Sequence, residues 1–149
     1  GNFQAVSGDI GVRAVYTGDG SGLESDSRIQ VQKHYERQES YTMVTLQVDF
    51  TAEAPVGYYT VTDIAPSGAR FVYADLGYGQ GWYLSSSQGE TTIFQVDRGT
   101  DPNSLRDSVT ITYYLRTALP GSYVTERCAV VHNETGLTAF SKRGTLSLS

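Results

Sequence analysis

Lysine is nearly absent from this chain of 149 residues: only Lys33 and Lys142 occur. With 11 Lys and Arg against 16 Asp and Glu the net charge is −5. No basic run stands anywhere, so the clustered cations that a phosphate backbone requires are missing and no nucleic acid is expected as a partner. Cysteine is equally scarce. Cys128 stands alone, which excludes an intrachain disulfide. Its neighbours Ala129, Val130 and Val131 predict a small apolar role in a buried strand. Two histidines and one cysteine are too few for a four-ligand zinc site, so no metal and no cofactor are expected. No apolar run approaches the ~20 residues that span a bilayer, and no secretory leader is visible; no transmembrane segment is expected. No segment sustains an apolar spacing of three and four residues, which excludes long helices. One short helical turn over 101–106 is the exception expected.

Alternation at the two-residue period of strands takes the place of helical spacing. Val12, Ala14 and Tyr16 share a face. Ile29, Val31 and Tyr35 share the next, with Arg28, Gln30, Gln32 and His34 opposite. Val44, Leu46, Val48 and Phe50 face one way and Thr45, Gln47 and Asp49 the other. Val109, Ile111, Tyr113 and Leu115 repeat the pattern, as do Leu146 and Leu148. Eleven tyrosines suit half-buried strands, where the ring packs and the hydroxyl stays wet.

Turn signals separate the strands at short intervals. Thr17-Gly18-Asp19-Gly20 holds a hairpin-type Asp-Gly pair. None of the four prolines interrupts an alternating run, as a sheet demands. In Tyr58 to Val72 a strand is followed by Pro66-Ser67-Gly68 and a new apolar start at Phe71. A type I turn with Pro66 at i+1 and Gly68 at i+3 is predicted there. Many short strands with regular turns predict an all-β chain, a single antiparallel β-sandwich of macroglobulin- or immunoglobulin-like type over 1–149. The chain opens Gly1-Asn2 rather than with Met, so a piece cut from a larger protein is expected.

Two ordered blocks carry a family resemblance. The first is Tyr58 to Val72, with its Asp63-Ile64-Ala65-Pro66-Ser67-Gly68 step. The second is Val109 to Val124, with Tyr113-Tyr114-Leu115-Arg116 and Pro120-Gly121-Ser122-Tyr123, followed by Glu126, Cys128, Ala129 and Val130. Together they resemble the C-terminal β-sandwich domain of bacterial alpha-2-macroglobulin-like proteins. That resemblance implies a non-catalytic module of a secreted or envelope-anchored protease trap and protease inhibitor. Its direct partners would be the upstream domains of the same parent, and its indirect partner a protease. The thioester motif of such traps, Cys-Gly-x-Gln, is missing here, since Ala129 and Val130 follow Cys128. Trapping chemistry would therefore reside elsewhere in the parent protein.

No catalytic residue is assigned. His34 and His132 lack a nucleophile-elbow partner, and both read as ordinary solvated histidines. Asp19, Ser21, Glu24 and Asp26 make a polar loop without the ligand order of an EF-hand, hence a solvated turn. Asn133-Glu134-Thr135 matches a glycosylation pattern that matters only in a eukaryotic secretory context. Tyr78, Trp82 and Tyr83 beside the loop Gly77-Gly81 are the candidate interdomain contacts, since exposed aromatics anchor interfaces. The same aromatics would equally stack on a sugar. The Asp-x-x-Pro-x-Gly turn also resembles those of adhesin stalk repeats, some of which carry a Lys–Asn isopeptide bond. Lys33 or Lys142 with Asn133 would supply that pair, while a lysine with its stem buried and its head in water explains Lys33 equally well.

Overall fold

The computed structural model describes residues 25–66, 68–77, 79–117, 121–142 and 144–148. The strands in chain order are β1 (Ile29–Arg37), β2 (Thr42–Phe50), β3 (Tyr58–Ile64), β4 (Ala69–Ala74) and β5 (Trp82–Gln88). They continue with β6 (Thr91–Asp97), β7 (Ser108–Thr117), β8 (Gly121–Thr125), β9 (Ala129–His132), β10 (Thr138–Phe140) and β11 (Gly144–Leu148). One sheet has the order β1-β2-β7-β4 and a second the order β10-β9-β3-β6-β5, while β11 and β8 form a separate pair. Every pairing is antiparallel. The antiparallel sandwich expected from alternation is the observed fold.

The core follows strand parity. On β2, Thr42, Val44, Leu46, Val48 and Phe50 are buried and the residues between them half-buried. Leu46 lies opposite Ile111 and Val48 opposite Val109 in the β2–β7 register, so two neighbouring strands present one apolar face. The second sheet answers with Tyr59, Val61, Phe94, Val96 and Val130, all fully buried. Phe94 meets Tyr113 across the layers at 5.5 Å between ring centroids. Tyrosines on the outward side pair on the surface instead: Tyr73 stacks on Tyr114 at 4.4 Å.

Three local expectations are corrected. No helix forms over 101–106; Ser104 N–H donates to the Asp101 carbonyl at 2.9 Å in a simple turn. The turn after β3 is shifted by one residue, because Ala69 N–H donates to the Pro66 carbonyl at 3.0 Å. Pro66 is therefore position i and Gly68, with φ of 87°, is position i+2, the place where a type II turn requires a positive φ. His132 is no solvated histidine: it is 2% exposed. The Val12–Tyr16 strand and the Asp19, Ser21 and Glu24 loop lie outside the described residues. Asp26 of that loop pairs with Arg28 at 2.8 Å.

Candidate functional site

Two groupings of polar side chains stand out, one between the sheets and one on the outer face of the five-stranded sheet. The first begins with strand parity on β1. Lys33 follows Val31 by two residues, so its side chain points inward, as that parity predicts. Its Nζ reaches Oδ1 of Asp63 on β3 at 2.5 Å, with side-chain exposures of 3% and 0%. The same ammonium donates to the Glu126 carbonyl at 3.2 Å and the Ile64 carbonyl at 3.4 Å. From β7, the Tyr113 hydroxyl donates to Oδ2 of Asp63. Three strands from two sheets thus converge on one carboxyl. Burial raises the Asp63 pKa against the opposing pull of Lys33 and the Tyr113 hydrogen bond. Burial and the adjacent carboxylate together push the Tyr113 hydroxyl well up. The Cys128 thiol is fully buried as expected, though on the approach to β9 and not within a strand, and its pKa is raised by burial first and by Asp63 second.

Lys33 therefore finds a carboxyl partner and not the asparagine considered from sequence. Asn133 lies on the surface, accepting from Thr60 Oγ1 at 2.6 Å and donating to Gln95 Oε1 at 3.1 Å. Asp63 and Tyr113 are the residues that sequence reasoning missed as a site. Asp63 sits at a strictly apolar position of an otherwise alternating strand, between buried Val61 and buried Ala65. That misplaced charge was the available signal.

The outer face of the five-stranded sheet carries the second grouping. Tyr83 lies opposite Gln95 on β6, and Gln95 opposite Thr60 on β3. One step along, Tyr58 lies opposite Asp97, and Asn133 N–H donates to the Tyr58 carbonyl at 3.0 Å. Two shallow grooves meet here, with Tyr58, Tyr83 and Gln95 common to both. Tyr58 and Tyr83 are each about half exposed, Leu84 more than a third, and Leu76 at one rim is 86% exposed.

Of the three expected contact residues, Tyr83 is on this surface, Trp82 is not, and Tyr78 lies outside the described residues. Trp82 is buried as the first residue of β5, edge-on to Phe94 at 5.6 Å. The alternation of the strand decides this: one of two consecutive aromatics must point inward. Gly77 closes over it so tightly that an added Cβ would stand 2.1 Å from the Trp82 carbonyl oxygen. Trp82 therefore anchors the loop from beneath, and Tyr58 and Leu76 take the outward places.

No family model matches the sequence, and no curated protein matches it. Solved structures share its fold. The C-terminal fragment of alpha-2-macroglobulin from Escherichia coli, spanning domain MG7 to the C-terminus, superposes on 85% of this chain with a TM-score of 0.59 and 19% identity. This chain spans 24% of the length of that fragment. A non-cellulosomal cohesin from Archaeoglobus fulgidus matches 83% of this chain with a TM-score of 0.52 and 12% identity. A cohesin module of a Clostridium perfringens family 33 glycoside hydrolase matches 80% with a TM-score of 0.50 and 8% identity. The shared architecture is the β-sandwich of macroglobulin and cohesin domains. No helix among the described residues is long and apolar enough to cross a membrane.

Proposed function

We propose that this sandwich is a non-catalytic interdomain module of an alpha-2-macroglobulin-like protease trap, working outside the cell or in the cell envelope. The observation that carries the reading is the outer face built on Tyr58 and Tyr83. Two half-exposed rings lie on this face with the exposed Leu76 side chain at its rim, beside the side-chain amides of Gln95 and Asn133, which are hydrogen-bonded within the sheet. Exposed aromatics grouped in this way suit an interface core. A partner within the same parent fits best, because the structural likeness is to one part of a multidomain chain. Interfaces between domains of one chain bury roughly 600–1,500 Å². Contact with a protease would then be indirect, through the assembly that this module braces.

Hydrogen exchange on the full-length parent and on this chain alone tests the reading. Slower exchange of β5 and of the 56–60 segment in the parent is expected, and Tyr83→Ala in the parent should abolish that difference. Identical exchange in the two contexts would refute docking through this face. Saturable binding of an oligosaccharide that Tyr58→Ala and Tyr83→Ala both remove would refute it in favour of a carbohydrate-contacting surface module.

A further inference from the structure

We propose that Lys33 and Asp63 condense with each other, forming an amide between Nζ and Cγ that joins the two sheets covalently. The proposal is independent of any docking role. Nζ stands 2.5 Å from Oδ1, and both side chains are almost fully withdrawn from solvent. Groups held in such contact react as though at very high concentration, since their translational and rotational freedom is already lost. Leaving them as ions is costly, because a buried pair must offset the desolvation of two charges. An amide carries neither charge.

The surroundings supply the roles that condensation needs. The ammonium first passes one proton to Oδ1, giving an amine and a carboxylic acid. Burial of Asp63 favours that acid form. The Nζ lone pair then attacks Cγ, and the developing negative charge collects on Oδ2. The Tyr113 hydroxyl already donates to Oδ2, so it stabilises that charge as an oxyanion donor. As the tetrahedral centre collapses, the C–Oδ1 bond breaks. The departing Oδ1–H takes a second proton from nitrogen and leaves as water. One ammonium and one carboxylate thus become one amide and one water, with no oxidant and no co-reactant. The single hydrogen left on nitrogen has a carbonyl waiting, that of Glu126 at 3.2 Å. Oδ2, now the amide oxygen, keeps its hydrogen bond from Tyr113.

The cross-link would span the sandwich. Lys33 belongs to β1, an outer strand of its sheet, and Asp63 to β3, the central strand of the other. A bond there resists separation of the layers.

Intact-mass measurement of the full chain under denaturing conditions tests the proposal. A mass lower than that of the sequence by one water is expected. Proteolytic digestion should recover the Lys33 and Asp63 peptides joined to each other. Lys33→Arg should restore the full mass. Tyr113→Phe, which keeps the ring and removes the oxyanion donor, should leave a measurable unreacted fraction in freshly purified protein. A folded wild-type chain at full mass, with Lys33 recovered in an ordinary linear peptide, would overturn the proposal and leave an ion pair. That readout holds even if a variant fails to fold.

Discussion

The imidazole of His132 packs 4.8 Å from the ring of Tyr59, and both of its nitrogens are engaged inside the protein. Nε2 lies 2.7 Å from the Val56 carbonyl, and Nδ1 lies 2.8 Å from Thr135 Oγ1 while accepting from Thr135 N–H at 3.2 Å. A carbonyl only accepts, so Nε2 carries the hydrogen. His132 thereby ties the end of β9 to the segment entering β3. His132→Ala leaves the Val56 carbonyl and Thr135 N–H without this partner and opens space beside Tyr59. A loss of about 0.5–1.5 kcal/mol for each of these part-buried hydrogen bonds is expected, measured by denaturant unfolding. His132→Gln should recover part of it.

The facing pair Leu46 and Ile111 tests the core. Either one changed to Ala should destabilise the chain by about 2–5 kcal/mol, the range for cavities left by buried branched side chains. Because the two sites touch one another's cavity, the double variant should cost less than the separate losses added together. Full additivity in urea unfolding would mean that the two strands do not pack as neighbours.

Arg98 is 3% exposed and is satisfied by carbonyls alone. It donates to Thr51 at 3.0 Å, to Arg106 at 3.2 Å and to Ala54, and it lies over the Phe50 ring at 5.3 Å. Arg98→Met should preserve volume and orphan those oxygens, at about 1–3 kcal/mol for each one left dry. Arg98→Lys should recover only part of the loss, since a point ammonium cannot reproduce the planar fork. Thermal unfolding ranks the three proteins.

Alkaline pH should weaken the fold from about pH 10 upward. Burial lifts Tyr59 from its ordinary 10.0 to about 12, and its hydroxyl donates to the Pro55 carbonyl at 2.5 Å. Between those values an unfolded tyrosine has lost its proton and the folded one keeps it. The unfolded state then binds fewer protons, so stability falls as pH rises through this window. Tyr113 shifts in the same direction and adds to the loss. Tyr59→Phe should make the decline shallower in unfolding curves taken across that range.

Much of the sandwich was legible from residues 42–50 and 109–115. Their alternation is uninterrupted, and a two-residue period buries one face whatever the partner strand is. The inward direction of Lys33 followed from the same parity. The site was harder to read. A run such as Trp82-Tyr83 announces aromatics without saying which one turns inward, and packing on Phe94 settled that. Pro66 and Gly68 announced a turn, yet only the hydrogen bond from Ala69 N–H to the Pro66 carbonyl set its register.

The sequence by itself determined the class of fold, the buried face of the long alternating strands and the burial of Cys128, because these depend on local period and composition. Tertiary structure alone decided what meets across the layers. Lys33, Asp63 and Tyr113 are 30 and 50 residues apart in successive steps, and nothing local encodes that their side chains meet. His132 became a core residue because β9 seats between β10 and β3, where the Val56 carbonyl and the Tyr59 ring enclose it. Pairing partners come from the packing of whole sheets, and that packing selects which polar groups are withdrawn from water together.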